Sequence, residues 1–378
     1  MATILITGAT GFVGGALAAN LLAAGFHVLA LSRNDPDGNR TRESVRDAAA
    51  GFGLAFDGAL NRRLSVLEVD GETLHAVLTP AILADVQAAW HAAAEMSYAG
   101  QKVLASHYTN VVVTARLYRL LAERAPACQR FFYVSTAYTS GMDGGLVREE
   151  LHAGHGFNNV YQLTKSAAEH ALSHLQGRHR LPVTIFRPTI VVGHSHTGWA
   201  RRNAFGFHMF IEALASMGRA GVSRVHLNLN AAARPDLMPV DRLVGDGVAL
   251  TARAAQGAAL DIFHCAGGLG LRLDEVLRAI GKPSGVDVQF GALQTTADKR
   301  VDRAIEPNRR FASTEWEFCS QRLRQALGDS VRPAATVLEL DRMVRWYLSD
   351  ESPSTRRRRR SAAEPAMPAS ETLEAQAV

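Results

Sequence analysis

A chain of 378 residues, 47% apolar and 20% charged, is long enough for a large α/β unit with an appended region, and this balance excludes a disordered, fibrous or membrane-embedded class. The formal charge of +5 is matched by one run of five arginines at positions 356–360, so nucleic acid is not an expected partner of the folded body. Cys128, Cys265 and Cys319 are scattered and odd in number, which suggests neither a disulfide framework nor a zinc site. No apolar run nears the roughly 18 residues of a membrane-spanning helix, and the N-terminus lacks a secretory pattern, which sets a cytoplasmic expectation.

The opening Thr3–Thr7 is short, apolar and β-branched, as a buried parallel strand is. An Ala/Leu-rich helical pattern follows over residues 12–24, Gly25 stops it, and residues 27–31 read as a second strand. The long stretch 35–63 predicts an additional helix. Further strands are expected at 64–69, 88–92, 130–135 and 182–187, with helices at 110–124 and 160–176. This alternation predicts a Rossmann-type doubly wound parallel sheet, with ligands at the carboxyl ends of its strands. Beyond Gly193 the alternation fades. Residues 1–193 are expected to form the dinucleotide-binding core with the catalytic helix. Residues 194–349 are expected to form a mixed substrate-binding region, with a helix at 203–216 and a returning core strand near 260–266. The last 29 residues, 350–378, read as a disordered, arginine-rich tail.

Gly8-Ala9-Thr10-Gly11-Phe12-Val13-Gly14 stands directly after the first strand and opens the first helix. Glycines there permit a tight turn and close approach of backbone to a pyrophosphate, and the helix N-terminus offers N–H groups to the phosphates. At the end of the second strand, where a carboxylate takes the ribose of NAD, the chain has Ser32-Arg33. An arginine pairs with a 2′-phosphate, so NADPH is the expected cofactor and NADH the less favoured one; Asp35 keeps that alternative open.

Tyr161 and Lys165 are four residues apart on a predicted helix, hence on one face. An adjacent ammonium stabilises a phenolate and makes the phenol a usable acid–base group. Ser135 and Thr136 are the candidates for a second hydroxyl donor to a substrate carbonyl. His170 and His174 have helical spacing but no evident third ligand, so no metal is expected.

With these motifs in order, and with Arg187-Pro188, roughly residues 1–265 resemble the extended short-chain dehydrogenase/reductase superfamily. The resemblance implies Thr136 as hydroxyl donor, Tyr161 as proton donor and Lys165 as the group that lowers the phenol pKa and holds the nicotinamide ribose. It makes Asn110 a prop for the active-site helix and a relay water, Asp70 an adenine neighbour, and the segment around Ala93, together with Arg187, Pro188 and Thr189, part of the cofactor lining. Within the superfamily the chain looks most like the male-sterility-type branch of fatty acyl-CoA reductases and carrier-protein thioester reductases. That implies NADPH-dependent reduction of an acyl thioester to aldehyde or alcohol, with a small-molecule or carrier-bound substrate and any acyl carrier protein acting in trans. Ser135, His194, Arg201 and Phe205 are the expected substrate contacts. The rival readings are an aldehyde or ketone reductase, a nucleotide-sugar epimerase or dehydratase, and a regulator that senses NADP without chemistry. Arg33 speaks against the NAD-retaining epimerases, and Ala137 and Tyr138 stand where a 4,6-dehydratase has acidic residues.

Overall fold

The run Thr3–Thr7 forms the first strand because its apolar, β-branched residues are shielded on both faces, which only a central parallel strand requires. It pairs in parallel with His27–Ser32 on one side and Val86–His91 on the other. The computed structural model describes residues 2–153, 156–201, 206–328 and 333–349; the arginine run, Phe205 and the predicted tail lie outside the described residues. Seven parallel strands make the central sheet, in the spatial order Leu260–Cys265, Val183–Pro188, Arg130–Val134, Val86–His91, Thr3–Thr7, His27–Ser32, Leu64–Glu68. Chain order reverses direction at the Thr3–Thr7/Val86–His91 pair, so a crevice opens beyond the carboxyl ends of those two strands.

Helices cover both faces. Phe12–Ala23 packs against Asn39–Gly51 and Val240–Thr251 on one side, and Val113–Arg124 packs against Val160–His179 on the other. Asn39–Gly51 is the additional helix expected after the second strand, joined by the short Gly58–Arg62. The helix expected at 110–124 starts earlier, as Val103–His107, and passes through a wide π-helical turn, Tyr108–Val112, before Val113–Arg124. The helix expected at 203–216 is Phe207–Arg219.

A second apolar cluster lies beside the sheet, built from Phe207–Arg219, Leu273–Gly281, Thr296–Ser313 and Val337–Leu348. It is stitched to the apolar cluster around helix Phe12–Ala23 by a short parallel pair, Leu237–Pro239 with Ile190–Val192. The ring of Trp346, near the end of Val337–Leu348, packs against both clusters. None of the described helices is long and apolar enough to cross a membrane.

Candidate active site

The glycine turn is shaped by contacts that a side chain would destroy. Gly8 has φ +77°, and a Cβ there would come within 2.6 Å of the Ala93 nitrogen. A Cβ on Gly14 would lie 2.2 Å from the Gly8 carbonyl oxygen, so the first turn of helix Phe12–Ala23 rests directly on the loop. The Gly11 N–H closes the turn onto the Gly8 oxygen at 2.8 Å. Thr10, Phe12 and Val13 join these glycines along a cleft of about 960 Å3. A backbone cradle at the start of a helix, kept open by absent side chains, fits the diphosphate of a dinucleotide.

At the end of His27–Ser32, Ser32 and Arg33 face the same cleft, and so does Arg40, which the sequence reading missed. The Arg40 guanidinium is steadied by the carbonyls of Arg33 at 3.2 Å and Asn34 at 3.0 Å. The only hint in the sequence is a second basic residue shortly after Arg33. Asp35 is buried and turned away. Its carboxylate accepts from the Arg40 and Thr41 backbone N–H groups, both at 3.0 Å, and from the Thr41 hydroxyl at 2.7 Å, holding the start of helix Asn39–Gly51. Burial works to raise its pKa, but these bonds outweigh it and keep the carboxyl below its ordinary value. Asp70 lines the cleft nearby. Its Oδ1 accepts from the Glu72 and Thr73 amides and from the Thr73 hydroxyl, which lowers its pKa.

Asn159 starts helix Val160–His179, its Oδ1 accepting the Gln162 N–H at 2.9 Å, and thereby directs Tyr161 and Lys165 into the cleft. Lys165 is 1% exposed; its Nζ donates to the Val134 carbonyl at 2.5 Å and sits 4.0 Å above the Tyr133 ring. Burial brings its pKa down to about 7, with the Glu169 carboxylate one turn along the helix opposing that fall. Burial raises the Tyr161 phenol, so it holds its proton and is suited to donate it.

Thr136 and Ser135, open alternatives in the sequence, part company here. Ser135 spends its hydroxyl hydrogen on Glu169 Oε1 at 2.5 Å. Thr136 lines the cleft and uses a lone pair to accept the Tyr138 N–H at 3.4 Å. Arg187, expected beside the cofactor, is instead fully buried behind the sheet's end. It binds Glu169 through two bonds, 2.9 and 2.6 Å, and the Glu150 carbonyl at 2.9 Å, and is not among the residues lining the cleft. Successive strand residues face opposite sides, so its neighbour Pro188 does reach the cleft. Thr189 also lines it, with its hydroxyl donated to Asp236 at 2.8 Å.

Asn110 does not line the cleft. Carried by the π-helical turn, its side chain donates to Thr164 Oγ1 at 2.9 Å and to the Glu95 carbonyl at 3.0 Å, and accepts the Glu95 N–H at 2.7 Å. It is thus a brace for the helix bearing Tyr161. His194, expected at the substrate, is turned off the cleft: its Nδ1 accepts from the His196 and Thr197 amides and its ring packs on Phe52, centroids 4.6 Å apart. Arg201 is in the cleft, but at the opposite end from the one expected. It donates to the Gly11 carbonyl at 3.2 Å and to the Ser44 hydroxyl, beside the glycine turn.

Past Tyr161 and Pro188 the cleft becomes apolar, walled by Phe207, Phe210, Leu273, Leu277, Ile280 and Phe311. These come from helices Phe207–Arg219, Leu273–Gly281 and Thr296–Ser313. Asn308 is a polar lining residue on the same helix as Phe311, and none of these wall residues is charged.

The family model for Male sterility protein, an NAD-binding family, matches residues 6–245. Comparison with curated proteins gives no match. Among solved structures, the terminal R domain from the myxalamid PKS-NRPS biosynthetic pathway is similar with a TM-score of 0.72 and 22% identity, over 92% of this chain and 90% of that one. UDP-glucuronic acid 4-epimerase from Bacillus cereus, in complex with NAD, gives 0.67 and 18%, over 93% and 99%. UDP-N-acetylglucosamine 4-epimerase from Methanobrevibacter ruminantium M1 gives 0.65 and 16%, over 92% and 99%. At such identities the likenesses establish a shared fold.

Proposed function

Because the chain belongs to the Male sterility protein family, an NAD(P)-binding branch of the extended short-chain dehydrogenase/reductases, we propose that it is an NADPH-dependent reductase of acyl thioesters. The observation that carries this reading is the lining of the cleft, in which Arg33, Arg40 and Arg201 join the glycine turn while the wall of Phe207, Phe210, Leu273, Leu277, Ile280 and Phe311 is apolar. An acyl chain suits an apolar end, whereas a nucleotide sugar needs polar groups there for its base and phosphates. The terminal R domain, a part of a PKS-NRPS pathway, lends support to a substrate carried on a thioester, with the carrier acting in trans.

The cradle of Gly8, Gly11 and Gly14 would hold the diphosphate, and Arg33 with Arg40 the 2′-phosphate, a pairing favoured by the diversion of Asp35 into helix capping. When bound, the dinucleotide supplies hydride to the carbonyl carbon. Tyr161 donates its phenolic proton to the carbonyl oxygen as charge builds there, and Thr136 donates a hydrogen bond to the same oxygen. Lys165, pinned by the Val134 carbonyl one helical turn from Tyr161, supplies the positive charge that would ease the loss of that proton. The resulting hemithioacetal gives up its hydroxyl proton as the C–S bond breaks, the sulfur leaves with the bonding pair and takes up that proton to become a thiol, and the aldehyde is released.

The test is Tyr161→Phe assayed by NADPH oxidation across acyl-CoAs, acyl carriers, aldehydes and ketones, with products identified by mass spectrometry. A fall in kcat of about a thousandfold with NADPH affinity kept is expected. Full activity in the variant removes the proposed proton donor, and turnover of aldehydes or ketones alone by the unsubstituted chain removes the thioester substrate.

A further inference from the structure

We propose that His91, at the end of strand Val86–His91, is a positioning residue that holds the glycine cradle and the helix bearing Tyr161 and Lys165 at a fixed spacing, through a chain of hydrogen bonds whose direction the structure determines. The inference rests on reading Tyr161 and Lys165 as the reacting pair.

The direction follows from groups that have only one option. The Thr114 hydroxyl donates to the Asn110 carbonyl at 2.7 Å, and a carbonyl can only accept. The Thr114 oxygen, 2.8 Å from His91 Nε2, must therefore accept, which puts the imidazole proton on Nε2. Nδ1 is then an acceptor, filled by the Thr7 hydroxyl at 2.7 Å. The Thr7 oxygen in turn accepts the Ala93 N–H at 3.1 Å. One end of the chain thus fixes Thr7 and Ala93, the residues on either side of Gly8's close approach.

The other end passes through the π-helical turn. Asn110 reaches Thr164 at 2.9 Å, and the Thr164 hydroxyl donates back to the Val160 carbonyl at 2.9 Å, one residue before Lys165. His91 supports Lys165 by a second route as well. Its ring stacks on Tyr133, centroids 5.9 Å apart, and Tyr133 carries the Lys165 ammonium on its face. Burial, and then the nearby Lys165 cation, press the imidazole pKa down to about 3, so one neutral tautomer serves at every working pH. With both nitrogens engaged, His91 has no proton to offer a substrate.

The experiment compares His91→Phe, which keeps a ring on Tyr133 but removes both bonds, with Thr7→Val, Thr114→Val and the pair His91→Phe/Thr114→Val. NADPH affinity by fluorescence titration, kcat, KM and the thermal midpoint are measured on each. His91→Phe is expected to weaken NADPH and lower kcat by about tenfold each, with KM for the acyl substrate unchanged. The paired variant should lose little more than His91→Phe alone, since Thr114 acts on the cradle only through the His91 bond that the first substitution already removes. His91→Gln, which offers one donor and one acceptor, should recover part of both losses and keeps the test open if the phenylalanine variant fails to fold. Additive losses, or a lower thermal midpoint with NADPH affinity and kcat intact, overturn the proposal. So does the disappearance of a limb of the pH–rate profile in His91→Gln, which would make His91 an acid–base group. If Tyr161→Phe is fully active while His91→Phe still weakens NADPH, the reacting pair is wrong and the hold on the cradle stands.

Discussion

The two ends of the cleft are made by different means. At the dinucleotide end the working surface is backbone, folded from the few consecutive residues between Gly8 and Gly14 and kept bare by the absence of side chains. At the apolar end it is side chains alone, delivered by helices that begin at Phe207, Leu273 and Thr296 and share no local motif. The first end tolerates almost no substitution because its neighbours are main chain on both sides. The second tolerates exchange among apolar side chains, and its shape, with the substrate it admits, is correspondingly easier to change.

That difference can be broken most severely at Gly14. Gly14→Ala pushes a methyl group into the Gly8 carbonyl, and NADPH binding should be lost in a fluorescence titration, while an acyl thioester still raises the thermal midpoint through the apolar end. Persistent NADPH binding in this variant would mean that the cradle is not where the diphosphate rests. A smaller effect is expected from Arg33→Ala/Arg40→Ala. NADPH affinity should fall about a hundredfold through the loss of two charge-assisted contacts, with NADH affinity unchanged. Equal losses for the two cofactors would remove the 2′-phosphate assignment. At the other end, Leu277→Trp should cut kcat/KM about tenfold for long acyl thioesters and less for short ones, leaving NADPH affinity intact.

The smallest effect is a pH dependence. Lys165 keeps its charge below about 7 and loses it as pH rises through that value, so kcat/KM should decline over that rise. The sign for stability is opposite. An unfolded lysine holds its proton up to about 10.4, so between about 7 and that point the unfolded state binds more protons and stability grows with pH. A rate profile flat across this interval would detach the Lys165 charge from turnover.

The sheet and its first βαβ unit were legible in the sequence because each signal lies within a few residues: a β-branched run, a glycine, an amphipathic stretch. The π-helical turn carrying Asn110 was not, since nothing in Tyr108–Val112 distinguishes it from ordinary helix. Arg187 lies off the cleft, facing Glu169, and this was not legible because Arg-Pro at the end of a strand does not reveal which of the two residues is turned toward it. Arg201 and His194 lie in an irregular stretch after Gly193, where a side chain's direction depends on distant partners such as Ser44 and Phe52.

What the amino-acid order determined unaided was the bare glycine turn after a buried strand and the one-face placement of a phenol and an ammonium, since both depend on local dihedrals and helical pitch. Packing between remote segments decided the rest: that Asp35 caps a helix while Arg40 faces the cleft, that Ser135 is spent on Glu169 while Thr136 remains, and that three helices supply the cleft's apolar wall. Those outcomes turn on which of several competing partners a polar group meets once the chain has closed, and no short stretch of sequence contains both members of such a pair.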